Sequence, residues 1–277
     1  MRKKTKIIAA ILTAIIVIVL LDIVLTAWLN REKDHTTLER IAYDKSGRAS
    51  VVYIKEEGEY IPYLVLAANY GGNVLLLREN LLPEEMPYKP SKRPSEVSAL
   101  SGGWTHWEYG SYYEESSIDE FLNTDFLKGF SADVQEAIVD TSIEVTDKEC
   151  YDKHNYVTHM LKRKVFLLSS VELGVRGSDG LTTAKEGTPL KYFRNTEHSV
   201  KRCYKADGKA WPYWTRTPWL YENCLVTIIG VEAISSGPAD SKIGIRPAFC
   251  LGKDTAVHKD SSIIEGKSVY VLDLESE

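Results

Sequence analysis

Residues 60–77 read YIPYLVLAANYGGNVLLL: two apolar runs on either side of Asn69-Tyr70-Gly71-Gly72. Tyr60–Ala67 and Asn73–Leu77 each have strand length, and paired glycines between such runs supply the positive φ angles of a tight antiparallel turn, so the stretch predicts a β-hairpin. Val51–Ile54 adds a short strand before it. Strand signals resume only after a helical stretch, at Val165–Ser169, Trp211–Thr217, Cys224–Ile229, Ile245–Leu251 and Ser268–Leu274. Strands, then helices, then strands, without strand–helix alternation, predict an α+β domain built on antiparallel sheet.

The helical stretch begins at Ser117-Ile118-Asp119-Glu120, a Ser-x-x-Glu pattern in which the hydroxyl and the carboxylate satisfy the first free N–H groups. Ile118, Phe121, Leu122 and Phe126 share one helical face, which makes Ser117 and Phe121 structural residues, and Gly129 ends the helix. Ser131 and Asp133 open a second helix with Val134, Ala137 and Ile138 inward, and Ser169-x-x-Glu172 is another capping pattern. Residues 83–115, with Pro83, Pro87, Pro90, Pro94 and Gly102-Gly103, read as loop; residues 174–210 read as a long excursion.

The N-terminus differs in kind. Ile7 to Leu29 is a 23-residue apolar run broken only by Asp22 and two threonines, long enough for a helix to cross a bilayer of roughly 30 Å. No small-x-small cleavage site follows it, so an uncleaved anchor is expected rather than a signal peptide. Arg2, Lys3, Lys4 and Lys6 place its start in the cytoplasm and the bulk of the chain outside a single-pass membrane protein. The expected division is a cytoplasmic tip and transmembrane helix over 1–29, a charged stalk over 30–50, and an extracytoplasmic domain over 51–277. Asp22, a carboxylate within the apolar run, is the one hint of a structural subunit pairing with a partner helix.

The net charge is −5, of which residues 1–29 carry +3 and the remainder −8. An acidic domain argues against nucleic acid or anionic wall polymers as partners. Four cysteines, Cys150, Cys203, Cys224 and Cys250, allow up to two disulfides in an oxidising compartment, with three connectivities and the free-thiol state all open. Cys150, His154 and His159 near Asp147 lack the spacing of a zinc site, no Gly-x-Ser-x-Gly elbow places a nucleophile, and no cofactor is implied. The acidic pairs Glu84-Glu85, Glu114-Glu115 and Asp119-Glu120 read as solvated faces or helix starts.

Trp104, His106, Trp107 and Tyr109 crowd a Gly-led loop that continues to Tyr112 and Tyr113, and they form the candidate ligand surface for a carbohydrate, peptide or protein. Arg216 and Arg246 sit beside Trp214 and other aromatics in strand contexts, where a guanidinium needs carboxylate or carbonyl partners, so all three are expected to be structural.

Five segments in order carry a resemblance: Pro62-Tyr63-Leu64-Val65-Leu66 with Val74-Leu75-Leu76-Leu77; Ser116-Ser117-Ile118-Asp119-Glu120-Phe121-Leu122-Asn123 leading to Phe126 and Phe130-Ser131; Val165-Phe166-Leu167-Leu168-Ser169; Trp214-Thr215-Arg216-Thr217-Pro218; and Gly244-Ile245-Arg246-Pro247-Ala248-Phe249. Over residues 50–252 the chain resembles the bacterial family called domain of unknown function 6273. Its closing strands are similar to those of C-type-lectin-like and formylglycine-generating-enzyme-like domains. The resemblance implies a C-type-lectin-like α+β ectodomain that binds a ligand or partner at a bacterial surface. An extracytoplasmic enzyme of the formylglycine-generating type is the alternative it leaves. The Glu-Pro-Asn, Gln-Pro-Asp and Trp-Asn-Asp runs of lectin calcium sites are absent, and Cys224 and Cys250 lack a supporting redox motif.

Overall fold

The computed structural model describes residues 16–21, 35–89, 112–114, 116–147, 157–175, 186–194, 196–219, 225–264 and 266–274. Its strands are β1 (His35–Thr37), β2 (Ser50–Glu56), β3 (Glu59–Tyr70), β4 (Asn73–Arg78), β5 (Glu85–Met86), β6 (Thr141–Thr146), β7 (Thr158–Arg163), β8 (Val165–Leu167), β9 (Tyr213–Pro218), β10 (Leu225–Ile229), β11 (Ile234–Pro238), β12 (Ile243–Gly244), β13 (Pro247–Leu251), β14 (Ala256–Ile264) and β15 (Lys267–Leu272). The architecture is α+β, mostly sheet with few short helices. Residues 16–21 are helical, and no helix among the described residues is long and apolar enough to cross a membrane.

An eight-stranded sheet runs β1-β14-β15-β2-β3-β4-β13-β8, a five-stranded sheet runs β11-β10-β9-β12-β5, and β6 and β7 form a ribbon. The expected hairpin is β3–β4, with Tyr70 opposite Asn73 and φ values of 60° and 95° at Gly71 and Gly72, where a side chain would be strained. The pairing is not purely antiparallel: β15 runs parallel to β2, and β12 to β9. Strands β1, β5, β6, β7, β11, β12 and β14 lie outside the strand stretches read from the sequence.

Residues 30–50 are not wholly a stalk. His35–Thr37 pairs with β14, and the following Leu38–Ile41 helix buries Leu38, Ile41 and the adjacent Ala42. Their i, i+3, i+4 spacing puts three apolar groups on one side of a turn that is otherwise charged. Residues 35–42 are thus part of the packed structure.

The Ser117–Phe121 helix is capped one residue earlier than expected. Ser116 Oγ accepts the Asp119 N–H at 3.0 Å, while Ser117 donates its own N–H to Tyr88 O at 2.9 Å. The helix continues as a wider π-turn over Leu122–Phe126. There Asn123 Nδ2 donates to Asp119 O at 3.0 Å and Thr124 Oγ1 to Glu120 O at 2.7 Å, so side chains occupy carbonyls that the ordinary ladder uses. Ile118, Leu122 and Phe126 are core, and Phe121 is half-buried and packs against that core. Asn123 also completes the edge of β8, donating to Val165 O at 2.9 Å and accepting from the N–H groups of Lys164 and Val165. Asp119 is buried rather than solvated, and its carboxylate receives Arg163 Nε and Nη2, each at 2.8 Å.

Arg216 joins the sheets. Completely buried on β9, it donates Nε to Glu144 O of β6 at 3.0 Å and Nη1 to Leu167 O of β8 at 2.9 Å; Nη1 and Nη2 also reach the two oxygens of Glu172 at 2.7 and 2.8 Å. Glu172 is set by the anticipated capping pattern, closed in both directions: its N–H donates to Ser169 Oγ at 3.0 Å and its carboxylate accepts the Ser169 N–H at 2.9 Å. Tyr70 of β3 donates to the same carboxylate at 2.5 Å. Gly187 must be glycine twice over, since its φ is 83° and a Cβ would lie 2.8 Å from Glu172 Oε1.

Beside this cluster Glu186, also fully buried, accepts from Thr146 N, Thr146 Oγ1 and Thr217 Oγ1 at 2.8, 2.6 and 2.6 Å. Burial outweighs those donors and the nearby Arg216 charge, and raises the Glu186 carboxyl from 4.5 to about 7. The 174–210 excursion thus returns into the core, where Phe193 is fully buried as well.

Two outcomes follow from this packing. Ser116→Ala should cost about 1 kcal/mol in urea unfolding, Ser117→Ala less, and Leu122→Ala roughly 2–5 kcal/mol; an equal loss for the two serine variants would contradict the cap. Glu186 has a folded pKa above its unfolded value. The stability it contributes is therefore complete below about pH 4.5 and is lost as pH rises through about 7. Across that interval wild type should lose roughly 3 kcal/mol more than Glu186→Gln, and parallel pH profiles for the two proteins would refute the assignment.

Candidate functional site

The β2–β3 turn begins at Glu57-Gly58, with φ of 49° and 90°. A non-glycine residue in that region is uncommon, and here it is held from outside: Glu57 N donates to Gly129 O at 2.7 Å, and Glu56 bridges to Phe130. The hairpin tip is thereby laid against the end of the Ser117–Phe126 helical segment. Gly129 makes the approach possible, since a Cβ there would lie 3.2 Å from Phe126 O and 3.4 Å from Glu57 Cγ.

Between the two lies a cleft of about 450 Å³, within the usual range for small-ligand sites. The aromatic rings of Phe121 and Phe126, with Ile61, Pro62, Leu82 and Pro83, supply its apolar surface. Glu57, Glu59, Glu84 and Asp125 stand on its walls and are exposed. Asp125 has one ionic partner, Lys128 at 3.2 Å, on side chains that are both 72% exposed and so weakly coupled.

At the inner end Arg78 and Glu56 form a pair with side chains only 7% and 11% exposed. Arg78 Nε lies 3.0 and 3.2 Å from the two Glu56 oxygens, and Nη1 donates to Asn80 O and Leu81 O at 2.9 and 2.6 Å. Tyr63 donates its hydroxyl to Glu56; burial, with the Glu56 charge beside it, holds that phenol well above its ordinary pKa, so it remains a donor. The one cation thus neutralises the one buried carboxylate, and the four wall carboxylates set the sign of the cleft.

The residues singled out from the sequence fall elsewhere. Trp104, His106, Trp107 and Tyr109 lie outside the described residues, as do Cys150, His154, Cys224 and Asp22. Trp214 is buried, donates Nε1 to Met86 O at 2.9 Å, and packs edge-on against Tyr88. Arg246 is buried beneath Tyr213, donating to Arg78 O and Glu79 O at 2.9 and 3.1 Å. Phe121 packs against the core and also lines the cleft.

Cys203 and Cys250 are buried free thiols, not a disulfide. Burial pushes the Cys250 thiol up to about 12, which holds it protonated. His159 lies 3.0 Å from Glu114 and 3.3 Å from Asp147, and among the described residues no group of side chains has metal-holding geometry.

The carboxylates of the cleft come from three separate stretches, at 56–59, 84 and 125, and no spacing in the chain announces that they meet. The nearest signal is Glu57-Gly58 between two strand runs, a turn dipeptide made of an acid and a glycine.

No curated protein and no solved structure matches this chain, so the lectin-like and formylglycine-generating-enzyme-like comparison finds no relative. A family profile, Domain of unknown function (DUF6273), matches residues 71–253, about two thirds of the chain. The match covers the helical wall of the cleft, Arg78 and Glu84, as well as Glu172 and Arg216, while Glu56, Glu57 and Glu59 precede it. With five ordered segments anticipated and the profile running through the hairpin turn to the end of β13, the chain belongs to the DUF6273 family.

Proposed function

We propose that this protein is a membrane-anchored, extracytoplasmic binding module whose ligand carries positive charge and seats in the cleft beneath the Glu57-Gly58 turn. One observation carries the reading: four wall carboxylates stand over an apolar, partly aromatic surface, while the only arginine in the cleft is neutralised by Glu56. A cation entering there gains Coulomb attraction from several sides, and the rings of Phe121 and Phe126 can receive its charge or its aliphatic stem. The apolar run Ile7 to Leu29 and the basic residues before it support the anchor and its orientation. The likeness of the closing strands to C-type-lectin-like modules belongs to this reading and not to the family assignment.

Calorimetric titration of the full-length chain in detergent with spermidine tests the cleft. Binding should weaken as ionic strength rises, and the double variant Glu59→Gln/Asp125→Asn should lose roughly tenfold in affinity at low salt without a change in melting temperature. Affinity insensitive to both would sink the assignment. Protease added to intact cells should digest the domain and leave a small protected N-terminal fragment; protection of the C-terminal bulk would reverse the orientation.

A further inference from the structure

Arg78 has a part left over. Its side chain is 7% exposed, Nε is taken by Glu56, and Nη1 is taken by the carbonyls of Asn80 and Leu81. A guanidinium is planar and directs its nitrogens to different corners, so two corners are filled by the protein and the third, Nη2, is not. Among the described residues Nη2 makes no hydrogen bond, and it is not one of the buried polar atoms cut off from solvent, so this corner of an otherwise buried side chain stays open. Water that occupies this corner can be replaced by an acceptor oxygen of a bound molecule. Arg78, Glu56, Asn80 and Leu81 all line the cleft, which puts this open corner at its inner end.

An acceptor oxygen from the ligand completes that corner. An anionic oxygen would be repelled by Glu57, Glu59, Glu84 and Asp125, whereas the neutral oxygen of an amide would not. The cleft therefore asks for a molecule that presents an amide carbonyl and a cation together, with an aliphatic stem between them to lie on Phe121 and Leu82. We propose that the cleft recognises a basic peptide, with a backbone carbonyl on Arg78 Nη2 and a lysine- or arginine-type side chain among the wall carboxylates. This rests on the cleft being the ligand site and goes beyond it by separating peptides from simple polyamines.

The test compares two ligands of equal charge on the full-length chain in detergent: spermidine, which has no acceptor oxygen, and an acetylated, amidated trilysine peptide. The peptide should bind roughly tenfold tighter, the return expected of one charge-assisted hydrogen bond. Arg78→Lys keeps a cation for Glu56 but loses the fork; it should erase the tenfold preference for the peptide over spermidine. Where that variant does not fold, the comparison in the native protein decides alone. Equal affinities there overturn the peptide inference while leaving a cation-binding cleft, and failure of both ligands to bind overturns the inference together with the proposed function.

Discussion

A guanidinium with no access to water must have its charge balanced and its donors taken up, and in this protein the Arg216 solution ties the sheets to one another. The side chain starts on β9, in the five-stranded sheet, and finds acceptors on β6, on β8, and on the Glu172 turn that follows β8. Tyr70 brings in the far end of β3. Removing either charge of such a pair strands the other, at roughly 3–5 kcal/mol, a large part of the about 5–15 kcal/mol that holds a domain folded. The surrounding choices serve that geometry: Ser169 fixes Glu172 from both ends, and Gly187 leaves the space its carboxylate occupies.

The cleft inherits its rigidity from the same arrangement. Strand β8 carries the carbonyl that Arg216 uses and also the edge that Asn123 completes, so one short strand connects the buried pair to the helical wall of the cleft. Asp119 with Arg163 fixes that wall a second time. The opposite wall is a hairpin tip, held by the Glu57 N–H bond to Gly129 O and the Glu56–Phe130 bridge. One wall is thus anchored by several charged contacts and the other by few, and the hairpin is the side with freedom to adjust when a ligand enters.

How much could be read from the chain depended on whether the signal was local. The hairpin at Gly71-Gly72 and the capping pattern at Ser169 and Glu172 were plain because each is a short-range device with its own chemistry. The Ser116 cap was missed by one residue because Ser117 is followed at the right spacing by Glu120; which serine caps is decided by Tyr88, a distant residue that takes the Ser117 N–H. The helical wheel puts Phe121 with Ile118 and Leu122, and it does pack against the core; that its remaining surface lines a cleft depends on the distant hairpin folding over it. The charged segment around Leu38 hid a buried face, and β14, whose sequence alternates weakly, showed itself only through its partners β1 and β15. The cleft was invisible for the strongest reason, since its acidic groups meet only after the hairpin folds onto the helix.

The central claim is that the space between the Glu57-Gly58 turn and the Phe121–Gly129 wall is where this protein meets its ligand. Hydrogen exchange on the full-length chain, with and without the trilysine peptide, tests it most directly. The account predicts slowed exchange at Glu57–Glu59, at Leu81–Glu84 and along residues 121–129, with the amides of β10 and β11 unchanged. Slowing confined to the five-stranded sheet, or to residues away from both walls, would contradict it.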